Sequence, residues 1–348
     1  MSSPTRSRRD PRAVRLTAPV LVVLAVLWLA APGAAAVPAG PTTVPLAGVT
    51  LLPVDSHVSL VVSVADGTAP VPPDSVSVTV AGVPQPATVV PVLSDQLAVG
   101  IVIDASRAAG GGLPARLSAA ARFVLEAPAG THAALVADTT PPAVLAKLQQ
   151  GPDDLVRALS AVQPRGDRHT ADALTLAVRQ LPATAGNPRA VILYTGAADA
   201  GGAASADLAT RLAREHVLLV VVSTADDTRY WSKATGPTGG LVAPVRTSPV
   251  VPALDRVATT LRTRYLITFP TPAHLPAPAS VRLNFPDVTM SADVVVPGKD
   301  APVRAEPGHG LVSSAWMTVM LWAALIVGAL ALLIWGALEM VGTVFRRM

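Results

Sequence analysis

The stretch Leu97–Ala108 reads LAVGIVIDASRA, and the interpretation of the whole chain depends on it. Its first half is short, apolar and rich in β-branched residues, which is typical of a strand buried on both faces at the centre of a parallel sheet. The apolar run stops at Asp104, and Ser106 follows closely. Because open parallel sheets bind ligands at the carboxyl ends of their strands, we expect these two residues to lie at a functional edge. The alternative is that Asp104 only caps a turn.

The chain that follows this strand alternates between strand and helix patterns. Strands are predicted over Ala133–Ala137, Val144–Leu148, Ala190–Thr195, Val217–Ser223 and Gly239–Val242. Helices are predicted over Ala115–Leu125, Asp153–Leu159, Thr170–Leu181, Ala204–Glu215 and Pro252–Arg262. This alternation predicts an α/β domain over residues 93–270, built on a doubly wound, mostly parallel sheet.

Strand-like segments flank this domain on both sides. Residues 37–92 contain β-branched, partly alternating runs between proline- and glycine-rich turns, which predicts a small antiparallel β unit. Residues 271–300 are again strand-like. Together with Arg264–Phe269, they are expected to rejoin the first β unit.

The two ends of the chain have the patterns of export and membrane anchoring. Residues 1–36 combine a basic start, an apolar stretch and a small-residue cleavage site, which is typical of a signal peptide. Residues 311–338 carry no charge and predict a transmembrane helix, preceded by a linker over 301–310. The basic residues of the tail, 339–348, favour a cytoplasmic C-terminus. We therefore expect a single-pass protein of the cell membrane with its body on the extracytoplasmic side.

Charge and cysteine content exclude several classes of function. The formal net charge is +4, but the basic excess lies in the two ends of the chain. The central body has no net positive charge to attract phosphate backbones, so no nucleic-acid partner is expected. The chain has no cysteine, which excludes disulfides, thiolate metal sites and cysteine nucleophiles.

Three segments carry a family resemblance: the strand IVID with Asp104 and Ser106, the helix TADAL that opens at Thr170, and the strand VILYTG that ends at Gly196. Together they resemble a von Willebrand factor type A domain of the bacterial exported, membrane-anchored kind. Members of that family build a metal-ion-dependent adhesion site from Asp-x-Ser-x-Ser, a threonine and a further aspartate. Those oxygen ligands suit Mg²⁺.

The sequence keeps part of this ligand pattern and lacks the rest. The resemblance implies Asp104, Ser106 and Thr170 as the residual metal ligands. Ala108 stands where the second serine is expected, and Gly196 where the second aspartate is expected. With two oxygen ligands missing, we predict a degenerate adhesion site without a cofactor, and Mg²⁺ is the alternative. The three retained residues would then serve as hydrogen-bonding turn and cap residues.

Other short patterns in the chain carry less weight. Gly110 and Gly112 begin a partial dinucleotide fingerprint, but they come several residues after the strand rather than in a tight turn. Residues 165–167 spell the adhesive tripeptide Arg-Gly-Asp in a loop. His169 has no partner at metal-ligand spacing, and the sequence holds no G-x-S-x-G elbow. No catalytic residue is therefore predicted.

These observations favour a non-enzymatic, membrane-tethered protein-binding or adhesion module. Its carboxyl-edge loops are expected to bind a protein partner at the cell surface. Two alternatives stay open: an exported hydrolase that uses Asp104 with a nearby histidine or serine, and an assembly factor of an envelope complex. In the second alternative the transmembrane helix is as important as the domain, and fold analogy alone does not decide between them.

Overall fold

The computed structural model describes residues 42–64, 70–184, 186–244, 257–286 and 288–298. The predicted signal peptide, linker, transmembrane helix and tail lie outside these residues. No helix within the described ranges combines the length and the apolar character that crossing a bilayer requires.

The described strands, in chain order, fall into an N-terminal group, a central group and a C-terminal group. The first group comprises β1 Thr42–Pro45, β2 Ala47–Leu51, β3 His57–Ser63, β4 Val76–Val80, β5 Val83–Gln85 and β6 Thr88–Pro91. The central group comprises β7 Ala98–Asp104, β8 His132–Asp138, β9 Ala143–Gln150, β10 Arg189–Thr195, β11 Leu218–Ser223 and β12 Leu241–Pro244. The last group comprises β13 Arg264–Pro270, β14 Ala277–Asn284 and β15 Val288–Val296.

The α-helices belong to the central part of the chain. They are α1 Leu113–Glu126, α2 Asp153–Ser160, α3 Thr170–Val178, α4 Ser205–Arg214 and α5 Arg229–Thr235. Residues 257–262 are also helical, and the beginning of the predicted Pro252–Arg262 helix lies outside the described residues.

The central strands form a six-stranded sheet in the order β12-β11-β10-β7-β8-β9. All pairs are parallel except β8 with β9, which is antiparallel. Every residue of β7 is buried because helices cover both faces of the sheet. Helices α1 and α2 contribute to the core on one face, and α3, α4 and α5 contribute to the core on the other. The predicted α/β fold with a mostly parallel sheet is confirmed.

Helix α3 lies close against the central strand. A Cβ placed on Gly100 of β7 would lie 3.1 Å from the Cβ of Ala177 in α3, so a larger side chain at position 100 would push the helix away. This close approach fixes the start of α3, at Thr170, relative to the carboxyl end of β7.

The remaining strands form an antiparallel β sandwich from both ends of the described chain. One sheet has the order β1-β15-β14-β4-β5, and the other β2-β3-β13-β6. The two sheets share a core of alternating apolar side chains, among them Val58, Leu60 and Val281. The expectation that the C-terminal strands rejoin the N-terminal β unit is confirmed by the pairing of β13 with β3 and of β14 with β4.

Strand β13 corrects the predicted extent of the α/β domain, which we placed at residues 93–270. It pairs with β3 and β6 in the sandwich and not with the parallel sheet. Tyr265, Ile267 and Phe269 face the sandwich core, whereas Leu266 contributes to the α/β core together with Val61 of β3. The four-stranded sheet is thus buried on both faces. An apolar pattern predicts a strand, but it does not name the strand's partner.

Helix α5 was not predicted. Its seven residues read RYWSKAT, and only Trp231, Ala234 and Thr235 are buried. So short a segment holds no repeated apolar spacing that would distinguish a helix from a loop.

Candidate functional site

Three neighbouring strands end in polar side chains at one edge of the parallel sheet. Asp104 ends β7, Asp138 ends β8 and Thr195 ends β10. Asp104 is 3% exposed, and Asp138 and Thr195 are fully buried. The Thr195 hydroxyl donates a hydrogen bond of 3.3 Å to Oδ2 of Asp104. The carboxyl edge therefore holds two buried carboxyl groups on adjacent strands.

Asp104 and Ser106 form a tight turn immediately after β7. The hydroxyl and the backbone N–H of Ser106 both donate to Oδ1 of Asp104, at 2.8 and 3.3 Å. Ser106 is 1% exposed, so these bonds replace the water that a buried carboxylate would lose. The structure thus brings these two predicted residues together, in the hydrogen-bonding geometry of a turn.

Thr170, the third predicted site residue, is bonded to Asp138 and not to Asp104. Its hydroxyl donates to Oδ2 of Asp138, and the backbone N–H of His169 donates to Oδ1 at 2.7 Å. Asp138 therefore joins the loop before α3 to the end of β8. Burial raises the pKa of Asp138 to about 6, although the bonds from Thr170 and His169 act in the opposite direction. The charge of Asp104 adds to the increase in pKa.

Sequence reasoning missed Asp138, although a signal for it exists. The strand ALVAD ends in an aspartate as the strand IVID does, and neighbouring parallel strands bring such ends together. We predicted the strand over Ala133–Ala137, one residue short of this side chain.

The loops at this edge are joined by backbone hydrogen bonds. The N–H of Arg107 donates to the carbonyl of Gly166 at 3.0 Å, and the N–H of Arg165 donates to the carbonyl of Ala105 at 2.9 Å. Gly166 has a φ of +62°, a conformation that favours glycine. The Arg-Gly-Asp tripeptide therefore lies beside the loop after β7, with the side chains of Arg165 and Asp167 exposed.

Asp199 belongs to the loop after β10 and is engaged at the surface. Its Oδ1 accepts hydrogen bonds from the Gly201 N–H at 2.8 Å and from Nη2 of Arg168 at 3.3 Å. Asp199 is exposed, so this contact with Arg168 is a solvent-screened pair that connects the loop before α3 with the loop after β10.

A buried arginine completes the site, and sequence reasoning did not single it out. Arg116 of α1 is 8% exposed, and its Nη1 donates to the carbonyl of Ala109 at 3.0 Å. A Cβ placed on Gly196 would overlap Nη2 of Arg116. The guanidinium therefore lies against the backbone at the position where the resembling family has its second aspartate. Burial lowers the pKa of Arg116, and the nearby charge of Asp104 partly restores it.

The residues at this edge do not fit the Mg²⁺ site that the resemblance implies. Ala108 is exposed and offers no side-chain oxygen, and Gly196 has no side chain. The positive guanidinium of Arg116 lies against Gly196, where an oxygen ligand would be needed. Mg²⁺ requires near-octahedral oxygen coordination, which this set does not supply. No group of three or more acidic, histidine or cysteine side chains placed to hold a metal occurs in the described ranges.

The same geometry bears on the hydrolase alternative. The Ser106 hydroxyl donates to Asp104, and among the described residues it has no hydrogen bond to a histidine. The His169 ring is exposed, and its Nδ1 lies 3.4 Å from Oδ2 of Asp172 in the first turn of α3. A serine nucleophile needs a base within hydrogen-bond reach, and His169 faces Asp172 instead.

Comparison with known proteins agrees with this architecture. Residues 99–199 match the family model described as von Willebrand factor type A domain. The match begins in the central strand and includes Asp104, Asp138, Thr170 and Gly196. This part of the chain is therefore similar to a von Willebrand factor type A domain. No curated protein matches the chain at a significant level.

Several solved structures are similar to part of the chain. An aerotolerance-related membrane protein from Bacteroides fragilis is 12% identical, with a TM-score of 0.41, over 47% of this chain and 98% of that one. BatB from Bacteroides thetaiotaomicron is 14% identical, with a TM-score of 0.41 and the same two shares of coverage. A von Willebrand factor type A protein from Catenulispora acidiphila is 12% identical, with a TM-score of 0.41, over 73% of this chain and 70% of that one.

Proposed function

We propose that the protein is a non-catalytic binding module that presents the carboxyl edge of its von Willebrand factor type A domain to a protein partner. The observation that carries this proposal is a pair of backbone hydrogen bonds that hold two loops of the edge together. Arg107 and Gly166 are hydrogen-bonded at 3.0 Å, and Arg165 and Ala105 at 2.9 Å. Loops fixed in this way on a parallel sheet form a preorganised surface, which lowers the entropic cost of binding.

The chemistry of this surface suits a protein partner. The two hydrogen-bonded loops expose side chains of both charges. These are Arg107, Arg165 and Asp167. A mixed-charge surface favours a complementary protein surface and gives no uniformly positive track for a nucleic-acid backbone. The partner expected here is therefore a folded protein with polar, oppositely patterned charges.

The absence of catalysis is part of the proposal. Its support is the engagement of the polar groups at the edge: Asp104 accepts from Ser106 and Thr195, and Asp138 accepts from Thr170 and His169. These hydrogen-bonded groups stabilise the conformation of the loops. A catalytic carboxylate would instead be directed toward a substrate cavity.

The location is proposed from the two ends of the sequence. Residues 1–36 have the pattern of a signal peptide, and residues 311–338 that of a transmembrane helix followed by basic residues. We place the domain on the extracytoplasmic side of the cell membrane, held by a single C-terminal span.

Site-specific photo-crosslinking in the cells that make the protein tests the binding surface. A photoreactive residue at exposed position 107 is compared with one at position 125, since Leu125 is 62% exposed and lies at the far end of α1. The expected result is a discrete crosslinked protein from position 107 only. Equal adducts from both positions, or adducts from position 125 alone, would contradict a partner at the carboxyl edge.

Replacement of residues 311–338 by an unrelated membrane span separates tethering from envelope assembly. A simple tether predicts that the position-107 adduct survives the exchange. Loss of the adduct in a protein that still reaches the membrane would favour the assembly-factor alternative. Extraction by alkaline carbonate measures the anchoring itself, and a chain ending at residue 300 should be released.

A further inference from the structure

Arg116 lies on the buried face of α1, although it is charged. The buried residues of that helix are Leu113, Arg116, Ala119, Ala120, Phe123 and Val124, so position 116 falls on the apolar stripe. Among the described residues, the Nε of Arg116 has no hydrogen-bond partner, and its Nη1 donates to the Ala109 carbonyl. A buried cation with so few partners is costly unless a nearby negative charge compensates it.

The compensating charge comes from the strand ends. Arg116 forms no ion pair among the described residues, and the charge of Asp104, which ends the central strand and is 3% exposed, acts on it over a longer distance. Asp138 lies beside Asp104 as its register partner on β8. Two buried carboxyl groups and one buried guanidinium thus share the carboxyl edge. The guanidinium provides a permanent positive charge, since arginine stays protonated at all relevant pH values.

Two glycines leave room for this guanidinium. A Cβ on Gly112 would lie 2.9 Å from Nη2 of Arg116, and a Cβ on Gly196 would overlap that atom. Neither glycine has a positive φ, so backbone conformation does not require glycine at these positions. A side chain at either position would instead require the end of the flexible Arg116 side chain to move. An aspartate at position 196 and the present position of Arg116 are therefore mutually exclusive.

We infer that the guanidinium of Arg116 takes the place of a divalent metal ion at the carboxyl edge. It fills the space beside Gly196 and supplies the positive charge that compensates the buried carboxyl groups. The inference concerns the site alone and does not depend on the proposed partner. It accounts together for the missing oxygen at Gly196, the small residue at Gly112 and the charged residue on the apolar stripe of α1. Restoring the missing oxygen ligands is then insufficient to create a metal site while Arg116 remains.

Calorimetric titration of magnesium chloride and manganese chloride into the full-length chain tests this. The series comprises the wild type, the double variant Ala108→Ser/Gly196→Asp, and the triple variant that adds Arg116→Ala. We expect the triple variant to bind Mn²⁺ at least tenfold more tightly than the double variant. Equal affinities in the two variants, or micromolar metal binding by the wild type, would overturn the inference.

A more conservative substitution keeps the inference testable if the triple variant with alanine does not fold. In the Ala108→Ser/Gly196→Asp background, Arg116→Met retains the apolar stem and removes the charge, and Arg122→Met on the same helix is the matched control. The melting temperature of the variant with Arg116→Met should rise on addition of magnesium chloride, compared with sodium chloride at equal ionic strength. The double variant alone and the double variant with Arg122→Met should show no such difference. A Mg²⁺ response that is the same in all three proteins would contradict the inference.

Discussion

Asp104 and Asp138 are register partners on the parallel strands β7 and β8, so two carboxyl groups end adjacent strands at the same edge. Asp104 accepts its bonds from Ser106 and Thr195, whereas Asp138 accepts from the loop that opens α3. The two groups therefore fix different loops, and the contribution of each to the unfolding free energy depends on its charge.

The first prediction concerns pH. The pKa of Asp138 is raised from 3.8 to about 6, so the folded state binds this proton more tightly than the unfolded state. The resulting stabilisation is fully present below the unfolded pKa and is lost as the pH rises through about 6. A shift of this size corresponds to about 3 kcal/mol of unfolding free energy.

Urea denaturation of wild type and Asp138→Asn between about pH 4 and about pH 7 measures this effect. The variant cannot ionise, so its unfolding free energy should fall less with rising pH than that of the wild type. Asp172→Asn is the control, since Asp172 is exposed on the same loop–helix junction. Parallel pH profiles for wild type and Asp138→Asn would contradict the prediction.

The second prediction concerns Thr195. Its hydroxyl donates to Asp104 at 3.3 Å and accepts from the Ala197 N–H at 3.0 Å. Thr195→Val keeps the shape and removes both bonds, which should lower the unfolding free energy by about 1–3 kcal/mol. Thr268→Val is the matched control because the buried Thr268 hydroxyl has no hydrogen-bond partner within the described ranges. Chemical denaturation should show little loss in the control, and equal losses would argue against the assigned bonds.

The third prediction concerns Trp231, which is fully buried in α5. Its indole Nε1 donates to the carbonyl of Ala197 at 2.8 Å and so fastens the loop after β10. Trp231→Phe should cost about 1–3 kcal/mol and leave that carbonyl unpaired. Hydrogen exchange should accelerate in residues 197–204. Tyr230→Phe, which removes a bond to Ala203 nearer the surface, should have a smaller effect; the reverse order would contradict this account.

The fourth prediction concerns Gly240, which precedes β12. A Cβ at this position would overlap the backbone carbonyl of Leu219 in β11, so the strands would have to separate. We expect Gly240→Ala to lower the unfolding free energy by about 3 kcal/mol. Gly236→Ala is the control, since a Cβ there meets nothing within 4 Å. Thermal denaturation distinguishes the two, and a near-neutral Gly240→Ala would show that the strands can move apart at little cost.

The sequence was informative wherever a structural feature is local. The strand over Ala190–Thr195 is a continuous apolar run and the helix that opens at Thr170 has a periodic apolar face, and both occur in the structure. The turn at Asp104 and Ser106 was likewise predictable, because the two residues are neighbours in the chain and their bonds are short-range.

Features that depend on distant residues were not predictable in this way. Arg116 follows Leu113 at a helical spacing that places it on the buried stripe, but an arginine is ordinarily read as a surface residue. Its partners, Asp104 and the backbone at Gly196, come from two other elements. Only the assembled sheet shows that the cation and the missing aspartate compete for one place.

The pairing of β6 with β13 has a consequence for how the chain can be rearranged. The chain leaves the sandwich after β6, forms the α/β domain and returns to the sandwich at β13. The two crossing points are hydrogen-bonded to each other. The Val92 N–H donates to the Arg264 carbonyl at 2.8 Å, and the Leu93 N–H donates to the Leu261 carbonyl at 3.3 Å. The domain is thus an insert whose two ends already meet. A short turn between β6 and β13 could therefore replace the insert only if the outer face of the four-stranded sheet were made polar, because Val61 and Leu266 on that face belong to the α/β core.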